Sequence, residues 1–178
     1  MNFPEVSNRG FAPQAFLDEL VAWCKRAPVE VFAQNSRFDI YSAVREDLGP
    51  WKGLLHRRAV MCEVLRVLGG FESSWNWLEG HDIKNPKENS VLTKSAGIFQ
   101  VSADSMGLDR SLRAFAYAYR ATDPAEFRSV MMTNHEFAFG YTARLLRITT
   151  GHHGPVRDGF INPWLRRASV EQFISLLS

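Results

Sequence analysis

The residues able to do chemistry are concentrated in two short stretches set among apolar neighbours. VLRVLGGFESSWNW (Val64 to Trp77) carries Glu72 and Ser73, and SAGIFQVS (Ser95 to Ser102) carries Gln100. Stepping back from Glu72 by three, four and seven positions gives Gly69, Leu68 and Leu65, with Cys62 and Ala59 further along the same stripe. A helix running unbroken through Gly69-Gly70 therefore turns Glu72 toward the apolar side. Burial disfavours a charged carboxyl, and a carboxyl kept neutral can give its proton to a poor leaving group such as a glycosidic oxygen. If the helix stops at the glycines, Glu72 is an ordinary solvated loop residue. In the second stretch Gly97 would let backbone approach a ligand closely, and the amide of Gln100 can both donate and accept hydrogen bonds.

The elements that must position these residues read as short to medium helices. Pro13 opens a helix with Phe16, Leu17, Leu20, Val21 and Cys24 on one face, closing before Pro28. A second helix is expected from about Leu54 to Phe71, with others over Asp109 to Tyr119 and His135 to Ile148. Asp123-Pro124 and Asn162-Pro163 each read as a cap followed by Pro at the first helical position, and SVEQ (Ser169 to Gln172) has capping-box spacing. Clear period-two alternation is missing, so a mainly helical domain is expected, with one small hairpin between Trp77 and Ser95.

Glu72-Ser73 followed by SAGIFQVS resembles the lysozyme-like superfamily shared by goose-type lysozymes and soluble lytic transglycosylases. In that superfamily the Glu of an ES pair closes a buried helix, and a small-Gly-apolar-apolar-Gln-apolar segment forms the facing wall of a glycan cleft. The resemblance implies an α+β lysozyme-like fold in a single domain over 1–178, with 1–50 a helical extension packed on it; those first residues match nothing in the superfamily. It makes Glu72 the general acid and puts Ser73, Ser95, Gly97, Phe99 and Gln100 on the substrate. FAFGYTARLL (Phe137 to Leu146) resembles the family's later helix, where Tyr141 is expected to support Glu72 or touch sugar. TTGHHGPV (Thr149 to Val156) stands where transglycosylases carry a Tyr-Asn-Ala-Gly loop; histidines replace the Tyr-Asn pair, and His153 is the candidate glycan contact.

The departures bear on the reaction. Ser102 occupies the position where goose-type lysozymes have an Asp, so that carboxylate is not carried over. Inverting hydrolysis needs a second carboxylate about 6.5 to 9.5 Å from the first, whereas a transglycosylase can use one Glu and the sugar's own hydroxyl. The loop WLEGHDIKNPKENS (Trp77 to Ser90) offers Glu79, Asp82 and Glu88. Asp82 is the preferred second carboxylate, since it lies past Gly80 where a turn swings it over the cleft, although an Asp there equally caps a turn. Three candidate bases in a loop longer than a minimal hairpin favour hydrolysis over transglycosylation.

Composition sets the frame. The 178 residues, 46% hydrophobic and 22% charged, suit one globular domain with a sizeable core. A net charge of +2 suits an anionic polymer but falls short of a nucleic-acid signature. No run reaches the ~18 apolar residues needed to span a bilayer. The amino terminus MNFPEVSNRGFAPQAF has no basic stretch followed by an apolar run, so a secretory signal peptide is not expected. A peptidoglycan-cleaving enzyme of this kind reaches its substrate as a phage endolysin through a holin pore or as a toxin injected by type VI secretion. The phrase FESSWNWLEGHD, in a single domain without an evident wall-binding module, is most similar to the type VI secreted peptidoglycan glycoside hydrolase effectors. That resemblance implies cleavage of the β-1,4 bond between N-acetylmuramic acid and N-acetylglucosamine without a cofactor, in the periplasm of a target bacterium. It also implies a cognate immunity protein occluding the cleft and a secretion-apparatus component as partners.

Other chemistries are less well supported. A metal-dependent amidase would draw on His56, His81, His135, His152 and His153, but NHEFAFG lacks a second His at helical spacing, and adjacent His152-His153 point in different directions. A cysteine hydrolase needs Cys62 exposed beside a His, whereas AVMCEVL reads as helix core. Cys24 and Cys62 read as buried thiols, with one disulfide as the alternative. A non-catalytic glycan-binding module has no need to keep Glu72 together with Gln100.

Overall fold

The computed structural model describes residues 3–178; Met1 and Asn2, with which the expected extension begins, lie outside them. Among the described residues there are nine α-helices and one two-stranded sheet. The organising element is the helix α4, Leu54–Ser73, whose residues from Ala59 to Gly70 are buried on every side. A helix apolar all round belongs in the middle of a domain, and the remaining helices wrap it. The helix α1, Gln14–Arg26, packs Phe16, Leu17, Leu20, Trp23 and Cys24 inward after Pro13. The helices α2, Ile40–Ala43, and α3, Arg45–Leu48, are single turns. Beyond the groove-forming loops come α5, Arg110–Ala118, α6, Pro124–Thr133, α7, His135–Ile148, α8, Gly154–Arg157, and α9, Arg167–Leu177, which lies along α4. One apolar cluster runs from Phe3 to Phe173, so residues of the first fifty share the core with α4 and α7. No helix is long and apolar enough to cross a membrane, among the described residues.

Burying α4 also buries charge. Glu63 and Arg66 are fully enclosed, and each is satisfied by the other: Arg66 Nε donates to Glu63 Oε2 at 2.8 Å and Nη2 to Oε1 at 2.9 Å. Arg66 Nη1 donates to the Pro4 carbonyl at 2.8 Å, and the Arg166 amide to Glu63 Oε1 at 2.9 Å. Burial pushes the Glu63 carboxyl up while Arg66 opposes it. The pair pins the amino-terminal segment and the entry to α9 onto α4, since breaking either partner would leave a buried charge unmatched.

Of the cap signals in the sequence, Asp123-Pro124 caps its helix as expected, and α5 and α7 carry side-chain caps as well. Asp109 accepts from the Ser111 amide at α5, Asn134 from Phe137 at α7, and Asp123 with Glu126 forms a complete capping box at α6 behind Pro124. Two other signals fail. Asn162-Pro163 makes only a 3-10 turn, Asn162–Trp164, without a side-chain cap. Ser169 lies inside α9 rather than capping it, because the chain is already helical from Arg167 once the Arg166 amide is tied to Glu63.

The hairpin is also displaced from its expected place. It joins Ser95–Ala96 (β1) to Val101–Ser102 (β2), with Ser95 opposite Ser102 and Ala96 opposite Val101. Residues 77–94 form consecutive turns instead. Reversal is achieved by left-handed backbone at Gly97 (φ 73°) and Gln100 (φ 47°), which a period-two search cannot register.

Candidate active site

Whether α4 stops at Gly69-Gly70 decides where Glu72 stands, and it does not stop there. The glycines answer to Trp75: a Cβ on Gly70 would lie 2.7 Å from Trp75 Cζ2, and one on Gly69 3.2 Å from Trp75 Cδ1. The indole folds back under the helix end, donating from Nε1 to the Arg66 carbonyl at 2.9 Å. Ser74, in left-handed conformation, closes the helix, with the Ser74 and Trp75 amides donating to Gly70 and Gly69 at 3.0 Å. Glu72 is thus held on the last turn, its side chain 18% exposed.

It opens onto a groove of about 580 Å³. The loop 82–93 contributes Asp82, Asn85, Lys87, Glu88 and Thr93 to its lining; the hairpin and following turn contribute Ser95, Gln100, Ser102 and Asp104; and Gly151, His152, Gly154 and Pro155 complete it. Behind Glu72 stands His153, 1% exposed, with Nδ1 3.6 Å from Glu72 Oε1, beyond hydrogen-bond length but within ion-pair reach. Its Nε2 is buried without a partner among the described residues. His153 therefore backs the carboxylate from inside the protein and does not line the groove.

Several other expected contacts prove to be structural. Phe99 is fully buried and packs on Phe139, with ring centroids 5.9 Å apart, so it cannot touch a ligand. Tyr141 is also enclosed, between Phe127 and Phe137, and its hydroxyl meets Ser105 Oγ at 2.9 Å rather than Glu72 or the groove. Ser73 is committed to the protein: its Oγ bridges the carbonyls of Gly69 and Ile98, at 3.2 and 2.9 Å, stapling the helix end to the hairpin loop. Gly97 serves close packing of backbone on α6, where an added Cβ would sit 2.7 Å from the Met131 carbonyl oxygen. Gln100 lines the groove, but its amide is engaged: Nε2 donates to Gly97 O at 2.9 Å and Glu79 O at 3.4 Å, and Oε1 meets Ser95 Oγ at 2.8 Å. Ser95 also lines the groove and gives its amide and hydroxyl to Glu88 Oε2, at 3.1 and 2.9 Å. Asp82 does reach the groove, on an exposed turn where its Oδ1 accepts from the Lys84 amide at 2.9 Å. Glu79 is absent from the lining and receives Asn76 Nδ2 at 2.9 Å.

Among the groove residues not expected there from the sequence, Asp104 and His152 are titratable groups. Asp104 lies two residues past SAGIFQVS, on the 3-10 turn Ala103–Gly107, and following the wall one turn further would have found it. Burial pushes His152 down to about 4, with neighbouring His153 acting in the same direction and Asp104 opposing, so its imidazole is neutral at neutral pH. With Glu72, Asp82, Glu88 and Asp104 against Lys87, the lining is predominantly acidic and hydrogen-bonding.

Elsewhere, Cys24 and Cys62 are free buried thiols on neighbouring helices; burial and Cys24 push the Cys62 thiol up. The histidines are dispersed: His135 pairs with Glu19 and stacks on Trp77 at 3.6 Å, and His56 accepts from the Lys52 amide at 3.4 Å. Among the described residues no three His, Cys, Asp or Glu side chains gather as a metal-ligand set. No protein-family model, curated protein or solved structure matches the chain.

Proposed function

We propose that this chain is a lysozyme-like peptidoglycan glycoside hydrolase in which Glu72 protonates the departing glycosidic oxygen. The supporting observation is a carboxylate, Glu72, on the last turn of a buried helix, partly shielded yet open to a groove. That setting suits a proton donor, and the groove's volume falls within the roughly 300 to 1,000 Å³ typical of ligand sites. Its Asn, Ser and Thr lining offers the hydrogen bonds a polyhydroxylated chain requires. The bond cut is the β-1,4 linkage between N-acetylmuramic acid and N-acetylglucosamine. The enzyme acts in the periplasm of a rival bacterium after type VI delivery, and in the producing cell an immunity protein occludes the groove. This part of the proposal is supported by the resemblance of FESSWNWLEGHD to such effectors. The test is incubation of purified protein with isolated sacculi, in the presence and absence of chelator, with release of soluble muropeptides as the expected result. Expression with and without a periplasmic leader tests the compartment: lysis should follow only when the protein is exported.

A further inference from the structure

We propose that Asp104 is the catalytic base that activates the attacking water, a role the sequence reading gives to Asp82. The inference rests on the glycoside hydrolase reading above and concerns the second carboxylate of that same site. Four carboxylates line the groove, and their hydrogen bonds separate them. Glu72 is the acid. Glu88 is consumed by the protein, with Oε2 taking Ser95 and Oε1 taking Asn85 Nδ2 at 3.1 Å. Asp82 and Asp104 are both exposed, but Asp82 sits in a loop that has no regular structure, its carboxylate capping a turn of it. A base needs a fixed position within hydrogen-bond reach of its water, and a turn of that kind is a poor anchor.

Asp104 has such an anchor. Its Oδ1 accepts from Ser102 Oγ at 2.6 Å, and its amide donates to the Leu92 carbonyl at 3.1 Å. The turn beneath it is tied to the core: Ser105 Oγ donates to the Ser102 carbonyl at 2.7 Å and meets the Tyr141 hydroxyl at 2.9 Å. Because the single Ser105 hydroxyl proton goes to Ser102, the Tyr141 hydroxyl must be the donor to Ser105. Tyr141 and Ser105 thus hold the backbone of Ser102 from buried α7, and the Ser102 hydroxyl in turn fixes one oxygen of Asp104. The other oxygen is left for water. In the step, that oxygen takes a proton from water as the water oxygen bonds to the anomeric carbon. The glycosidic C–O bond breaks, and its electron pair leaves on the oxygen that Glu72 protonates. Tyr141, Ser105 and Ser102 are positioning residues.

The experiment compares the wild-type protein with Asp104→Asn, Asp104→Ala, Asp82→Ala and Glu72→Gln on isolated sacculi. Asp104→Asn, which keeps an acceptor for Ser102, should retain the fold and lose at least ~100-fold in kcat with KM little changed. Added azide should restore cleavage by Asp104→Ala and leave an azide-terminated sugar, because a small anion needs no base. If Asp104→Asn proves unstable, Ser102→Ala serves in its place, with an expected loss of about tenfold in kcat at unchanged KM. Wild-type kcat in Asp104→Asn, or azide rescue of Asp82→Ala in place of Asp104→Ala, overturns the assignment. So do wild-type products ending in 1,6-anhydro muramic acid, since no water is then consumed. In each of these cases an inactive Glu72→Gln would leave the glycan-cleaving reading standing. Wild-type protein that releases nothing from sacculi overturns both.

Discussion

Gly97 is the position at which a single methyl group should do the most damage near the groove. Its φ of 73° lies in the left-handed region, and a Cβ there would stand 2.7 Å from the Met131 carbonyl oxygen of α6. An L-residue in that conformation costs about 1 to 2 kcal/mol. The contact is well short of van der Waals distance, and forcing an extra group into packed surroundings costs typically about 1 to 3 kcal/mol. The neighbour is helix backbone, which cannot swing aside as a flexible side chain would. Gly97→Ala should therefore destabilise the fold by roughly 2 to 5 kcal/mol, which for a chain of this size lowers Tm by about 4 to 20 °C. Calorimetry or urea unfolding measures this directly, with Gly80→Ala as control, since a Cβ at Gly80 meets nothing within 4 Å. A Gly97→Ala protein melting within about 1 °C of wild type, well under the shift expected for 1 kcal/mol, would refute the argument that Gly97 is there for backbone contact with α6.

Other expectations follow from the same geometry. Gln100→Ala removes an amide that ties the hairpin loop to Ser95, Gly97 and Glu79, so it should cost about 1 to 3 kcal/mol of stability in urea unfolding; unchanged stability with reduced turnover would instead indicate direct glycan contact. For His152, the folded value of about 4 lies below the ordinary 6.5, so the unfolded chain takes up the proton first. The stability it provides is complete above pH 6.5 and is lost as pH falls toward 4, by roughly 2 to 3 kcal/mol. Comparing urea midpoints of wild type and His152→Gln at pH 7 and pH 4 checks this, and identical pH dependence in the two proteins would count against it.

The parts of this fold that were legible in the sequence are those governed by local rules. Pro13, Asp109, Asp123-Pro124 and the stripe through Ala59, Cys62 and Leu65 declare their helices because capping and periodicity act over one or two turns. The place of Glu72 at the end of α4 was legible for the same reason. What escaped depends on partners distant in the chain. Why α4 carries Gly69-Gly70 is hidden until Trp75 is seen to need the space, and Phe99 and Tyr141 read as cleft residues until Phe139, Phe127 and Phe137 enclose them. Gln100 in left-handed backbone moves the hairpin to a place that alternation cannot mark. Asp104 has no motif of its own; its position comes from Ser102, Ser105 and Tyr141 acting together.

The central claim is that Glu72 donates the proton that breaks the glycan. Its most direct test is digestion of purified sacculi by wild type and Glu72→Gln at matched folding, followed by mass spectrometry of the released muropeptides. Glutamine fills the same space against His153 but has no acidic proton to give. The account predicts muramic reducing ends released by wild type and at least ~100-fold slower release by Glu72→Gln, with the two proteins melting alike. A folded Glu72→Gln protein that releases the same products at the wild-type rate would contradict it.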